Sequence, residues 1–176
     1  MTKLVVGCGY LGARVARRWA RLGETVYGVV RSDTRADALA REGIRPLVAD
    51  VLAPSTLDAL PPAETVVFSV ARQRAARESL HGLLVTGLAN VLASLSTLAD
   101  RLIVISSTGV YGQRDGEWVD EASPCEPQRA GGRACLAAER VPSTLGWEAR
   151  TIVLRLAGIY GPQRVPHRDL IVAGHP

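Results

Sequence analysis

Short runs of aliphatic and β-branched residues alternate with amphipathic stretches along the whole chain. Residues 4–6 form an apolar run ended by glycine. Leu11, Val15, Trp19 and Leu22 then recur at helical spacing, with arginines on the opposite side and Gly23 as the stop. Thr25–Val30 reads as a second strand, rich in β-branched residues. Asp33 is placed to cap a helix over 35–41, which Gly43 ends. Residues 44–49 and 65–70 read as the third and fourth strands. The widest apolar stripe follows: Leu80, Leu83, Leu84, Leu88, Val91, Leu92 and Leu95 repeat at i, i+3, i+4, predicting one long helix. Residues 101–106 form a fifth strand and 110–127 a long loop. A short helix over 133–140 is closed by Pro142, and Thr151–Leu156 is the sixth strand.

This alternation predicts an α/β fold: one doubly wound parallel sheet of about six strands, with helices on both faces. Ligands of such sheets bind at the carboxyl ends of the strands. There, Gly7-Cys8-Gly9-Tyr10-Leu11-Gly12 matches GxGxxG between a strand and an amphipathic helix, the context that the motif requires. Gly7 permits a tight turn, Gly9 leaves room for a phosphate and Gly12 lets helix and strand approach. The helix N-terminus, at Tyr10 and Leu11, offers unpaired N–H groups to a pyrophosphate. Arg31 and Ser32 directly follow the second strand, where an acid would otherwise bond a ribose 2′-hydroxyl. An arginine there pairs with a 2′-phosphate, which favours NADP(H) while leaving NAD(H) open.

Composition narrows the field. The 176 residues suffice for one domain with a real core. No apolar run approaches the roughly 18 residues of a membrane span, so no membrane partner is expected. The net charge of +4 comes from arginine, since Lys3 is the sole lysine among 21 basic residues. The arginines are scattered and aromatics make up only 5%, which argues against nucleic-acid binding. Cys8, Cys125 and Cys135 lack metal-ligand spacing and read as reduced thiols of a cytoplasmic protein. No metal site is expected, and His81, His167 and His175 have no paired ligands in the sequence. Asp115, Glu117, Asp120 and Glu121 read as a solvated loop face.

Further motifs extend the picture. Asp50 and Val51 follow the third strand, and Ser69, Val70 and Ala71 follow the core of the fourth. Ser106-Ser107-Thr108-Gly109-Val110-Tyr111-Gly112 ends the fifth, and Arg155-Leu156-Ala157-Gly158-Ile159-Tyr160-Gly161-Pro162 ends the sixth. With these motifs the chain resembles the extended short-chain dehydrogenase/reductases, and more closely their atypical NAD-dependent epimerase/dehydratase-like branch. The resemblance covers nearly the whole chain and implies an NAD(P)-binding Rossmann fold. It implies an adenine pocket at Asp50 and Val51, and cofactor contacts at Ser69, Val70, Ala71, Ser106 and Ala157. It also implies packing of Tyr160 below the cofactor, and dimerisation through the helix between Leu80 and Leu95. The implied substrate is a small carbonyl, hydroxyl or nucleotide-sugar-like compound.

Two departures qualify the resemblance. The family's chemistry rests on a tyrosine and a lysine four residues apart, with a serine that Ser107 matches. In this chain Gly131 falls at the tyrosine and Cys135 at the lysine, so the standard proton transfer is absent. Tyr111 is the best remaining phenol. The resemblance also implies a C-terminal substrate domain, of which residues 163–176 would be the start. A non-catalytic NADP(H)-binding sensor or regulatory module therefore stands beside the enzyme as an expectation.

Overall fold

The computed structural model describes residues 1–72, 78–95, 99–113, 115–165 and 172–174. Its elements are β1 (Thr2–Val6), α1 (Tyr10–Arg21), β2 (Thr25–Val30), α2 (Asp33–Ala40), β3 (Arg45–Val48) and β4 (Thr65–Phe68). There follow a π-wound stretch (Gly82–Thr86) continuing into α3 (Gly87–Ser94), then β5 (Arg101–Ser107), α4 (Ala130–Thr144) and β6 (Thr151–Leu156). All six strands are parallel in the order β3-β2-β1-β4-β5-β6. This is a Rossmann-type doubly wound sheet, and the order reverses direction between β1 and β4, where such folds hold their ligands.

Alternation along each strand builds two cores, since successive side chains leave opposite faces of the sheet. Leu4, Val6, Val66, Phe68, Leu102 and Val104 face one way, against Leu83, Leu88, Leu92, Leu95, Ala134, Ala138 and Trp147. Val5, Val26 and Val30 face the other way, against Ala13, Ala16, Leu39 and Ile44. The leucine stripe over 80–95 is thus spent on the chain's own core: Leu88, Val91 and Leu95 have no exposed surface. On the opposite side of the sheet edge, Ile152 and Leu154 of β6 are exposed. Among the described residues no helix is long and apolar enough to cross a membrane.

Several local readings are corrected. Helix α2 begins at Asp33 with Ser32 in the capping position, and neither side chain caps it by a hydrogen bond. Strand β4 ends at Phe68, two residues early; the Ser69 N–H still bonds the Val6 carbonyl at 2.9 Å, and Ser69 and Val70 then pack beneath the Gly7 turn. Pro142 does not close α4, which starts at Ala130 and runs through it to Thr144. The proline removes one helical donor only in the last turn. There the Ser143 and Thr144 hydroxyls donate to the carbonyls of Arg140 and Val141, both at 2.8 Å. Val141 and Pro142 are buried, which offsets the missing bond.

Candidate cofactor site

The glycine loop is shaped by two close approaches. Gly7 has φ +92°, and a Cβ there would lie 2.8 Å from the Val70 nitrogen and 2.9 Å from the Ser69 carbonyl carbon. Gly12 stands against the Gly7 carbonyl and the Ser69 hydroxyl, with no room for a Cβ. Ser69 Oγ donates to that same carbonyl at 2.9 Å, tying β4 to the loop. Gly9 differs, because a Cβ there would meet only open space. That space lies at the N-terminus of α1, where no side chain caps the backbone donors and no acid occupies the first turn. These free N–H groups and the helix dipole suit an anion.

A cavity of about 650 Å³ opens from this loop along the ends of β1, β2 and β4. It is lined by Gly7, Gly9, Tyr10, Leu11, Arg31, Ser32, Val51, Ser69, Val70 and Ala71. All ten were singled out in the sequence. Its remaining walls include Arg35, Arg72, Leu83, Ile105, Ile159 and Arg164, which were not. Four arginines line the cavity and, among the described lining residues, no carboxylate does. Val51 is held in the wall by Asn90, whose Nδ2 donates to the Val51 carbonyl at 2.8 Å, and by Gly87, which leaves space for its side chain. Arg164 returns from the segment after β6: its Nε donates to the Ile159 carbonyl at 2.9 Å, and its guanidinium stands 5.1 Å from the Tyr10 ring centre. Tyr10 closes the same corner by donating to the Pro162 carbonyl at 3.2 Å.

Other expected site residues lie elsewhere. Asp50 does not line the cavity; its carboxylate accepts from the Leu52 N–H at 2.9 Å and braces its own turn. Gly12 sits behind the loop, and Ala157 is exposed beyond the lining. Tyr160 is 79% exposed and so does not pack under the cavity. Ser107 and Tyr111 are also absent from the cavity wall. Ser107 Oγ accepts from the Gly109 N–H at 3.0 Å and caps the turn Thr108–Val110. Tyr111 lines a second, smaller hollow of about 240 Å³ with Gln113, Glu117 and Val119.

Ser106 and Tyr111 instead join a polar chain across the α4 face. Ser106 Oγ donates to Glu139 Oε1 at 2.5 Å. Arg155 binds the same carboxylate through Nε and Nη2, and its Nη1 donates to the Tyr111 oxygen at 3.0 Å. Glu139 and Tyr111 hold the Arg155 guanidinium firmly in its charged form. Periodicity gives no hint of this chain, because its bonded pairs sit 16 to 44 residues apart.

The thiols are muted. Burial pushes Cys8 up to about 12, against the opposing pull of Arg17 and Arg35, and its Sγ donates to the Val5 carbonyl. Burial and the Glu139 charge also raise Cys135, against a smaller opposing hydrogen bond with Ser106. A neutral thiol therefore stands where the resemblance places an ammonium. At Gly131, a Cβ would touch only Leu80 Cδ2, at 3.8 Å. Asp115, Glu117, Asp120 and Glu121 are exposed, as is His81, whereas His167 and His175 lie outside the described residues. No cluster of metal-ligand residues occurs among those described.

The family model of the NAD dependent epimerase/dehydratase family matches residues 3–173. The chain belongs to that family. No curated protein matches it. Among solved structures, one from Methylobacillus flagellatus, provisionally classed as an NAD-dependent epimerase/dehydratase, is 34% identical. The alignment covers 93% of this chain and 56% of that one, with a TM-score of 0.77. A conserved protein of unknown function from Silicibacter pomeroyi is 30% identical over 94% of this chain and 56% of its own, with a TM-score of 0.72. UDP-glucuronic acid 4-epimerase from Bacillus cereus, solved with NAD, shares the fold at 19% identity, with a TM-score of 0.77 and coverage of 100% and 65%. The chain spans 56% of the length of the first two structures.

Proposed function

We propose that this chain binds NADP(H) in the glycine-loop cavity and belongs to a protein acting on a small carbonyl, hydroxyl or nucleotide-sugar-like substrate. One observation carries the cofactor reading. The cavity end beyond β2 presents Arg31, Ser32 and Arg35 with no carboxylate among its described lining residues. Cations and a hydroxyl suit a 2′-phosphate, whereas a ribose 2′-hydroxyl is ordinarily bonded by an acid. The open space at Gly9 and the uncapped start of α1 suit the pyrophosphate. The NAD bound in the Bacillus cereus epimerase supports a dinucleotide in this fold.

A bound nicotinamide supplies the hydride donor or acceptor. On the protein side, Ser107 would orient the substrate oxygen and Tyr111 would carry its proton, with Arg155 fixing the phenol. A second reading, a non-catalytic NADP(H)-responsive module, is favoured by Gly131 and the neutral Cys135 in place of the tyrosine–lysine pair.

Fluorescence titration with NADPH and NADH tests the cofactor reading. Tighter binding of NADPH, lost in Arg31→Ala, is expected; a preference for NADH would reject it. Turnover over a panel of carbonyl compounds, abolished by Ser107→Ala or Tyr111→Phe, separates the enzyme from the module.

A further inference from the structure

Arg31 is already engaged. Its Nη1 donates to Glu78 Oε1 at 3.2 Å, an ion pair between residues 47 apart in sequence. Arg31 belongs to the lip formed by β2 and α2. Glu78 comes from the opposite lip, between β4 and the π-wound stretch. The two side chains are 36% and 35% exposed, so the pair stands in partial contact with water at the end of the cavity that Arg31 lines. Glu78 thus brings to the arginine the carboxylate that the end of β2 lacks.

The chemistry of this contact depends on the ligand. A ribose hydroxyl donates a hydrogen bond, which a carboxylate accepts. A 2′-phosphate is an anion that only accepts, so it seeks Arg31 and is opposed by Glu78. Resting on the NADP(H) reading of the cavity, we propose that Glu78 is a cofactor-specificity residue. It engages Arg31 when no 2′-phosphate is present, and it lowers the preference for NADP(H) by competing with that phosphate. The two opposed charges at one rim set how far the protein discriminates between the cofactors. Arg35, on the same lip as Arg31, adds to the phosphate's side of the balance.

Titration of the full chain with NADPH and with NADH, in four variants, tests this. Glu78→Gln is expected to tighten NADPH about fivefold, the scale of an exposed ion pair, and to leave NADH unchanged or weaker. The gain should shrink in high salt, because both groups touch solvent. Glu78→Asp keeps the charge and should keep the NADPH/NADH ratio near that of the wild type. Arg31→Ala should weaken NADPH, and Glu78→Gln added to it should restore less than it gains alone. If Arg31→Ala weakens NADPH while Glu78→Gln leaves it unchanged, the role of Glu78 is overturned and the cofactor reading stands. Equal tightening of both cofactors by Glu78→Gln also overturns it. If Arg31→Ala leaves NADPH binding intact, the cofactor reading itself fails, and the role of Glu78 with it.

Discussion

The Arg155 guanidinium, on β6, donates to the phenol oxygen of Tyr111 at 3.0 Å while its other nitrogens hold Glu139. The phenol is therefore fixed by the sheet, while the position on α4 that the resemblance assigns to a tyrosine holds Gly131. The Glu139 side chain is 8% exposed and that of Arg155 21%, so loss of the carboxylate leaves a part-buried guanidinium without its charge partner. Glu139→Gln is expected to lower stability by about 3 kcal/mol, as when one partner of a buried pair is removed. Tyr111→Phe removes one hydrogen bond to a charged donor and should cost about 1.5 kcal/mol. Urea unfolding of both variants checks the ranking; a larger loss in Tyr111→Phe would contradict it.

Adjacent glycines at the start of α4 should respond in opposite directions. A Cβ on Gly132 would run into the carbonyl of Gly109 and reach 2.8 Å from Pro127 Cβ. Helix α4 would have to move off the turn Thr108–Val110, so Gly132→Ala is expected to destabilise by about 1–3 kcal/mol. A Cβ on Gly131 meets only an ordinary contact, and alanine there should stabilise the helix by up to about 1 kcal/mol. Thermal melts of the two variants decide this, and a loss in both would show that α4 tolerates no added side chain at this end.

What the sequence made readable follows from how local each signal is. Strand alternation, the glycine loop and the leucine stripe are each encoded within a few turns, and they marked the sheet and six of the cavity's residues; Val51, Ser69, Val70 and Ala71 came from the resemblance. Element ends were less legible: Pro142 looks like a stop until Val141 and Pro142 are seen buried in the last turn, where Ser143 and Thr144 bond the carbonyls of Arg140 and Val141. Non-local partners were not legible at all. Nothing near Arg164 tells that the chain folds back over Tyr10. The resemblance implied cofactor contacts at Ser106 and Ala157 and a catalytic serine at Ser107, and Tyr111 was the best remaining phenol. In the structure none of the four lines the cavity.

Arginines at different places along the cavity should distinguish the parts of the cofactor. Arg35 lines the end that holds Arg31 and Ser32, whereas Arg164 stands over Tyr10 beside the glycine loop. Arg35→Ala is expected to weaken NADPH by about tenfold and NADH by much less, because a charge-assisted phosphate contact is worth roughly 1.5 kcal/mol or more. Arg164→Ala should weaken both equally, since both cofactors carry the pyrophosphate. Titrations read these ratios directly. Loss of NADPH alone in Arg164→Ala would place the 2′-phosphate at the wrong end of the cavity.

Cys8 should give the fold a limit at alkaline pH. Burial raises its thiol from 9.0 to about 12 in the folded protein, so between those values the unfolded chain gives up a proton that the folded one retains. Stability is then fully present below pH 9 and falls as pH rises toward 12. Between pH 8 and 11 the loss attributable to this thiol is on the order of 2–3 kcal/mol. Cys8→Ala removes the titrating group, and its smaller volume is accommodated at some cost in packing at every pH. The difference in unfolding free energy between wild type and Cys8→Ala should therefore narrow as pH rises from 8 to 11. A constant gap would show that the thiol ionises as readily in the folded protein as in the unfolded chain, and that the space beneath the glycine loop is open to water.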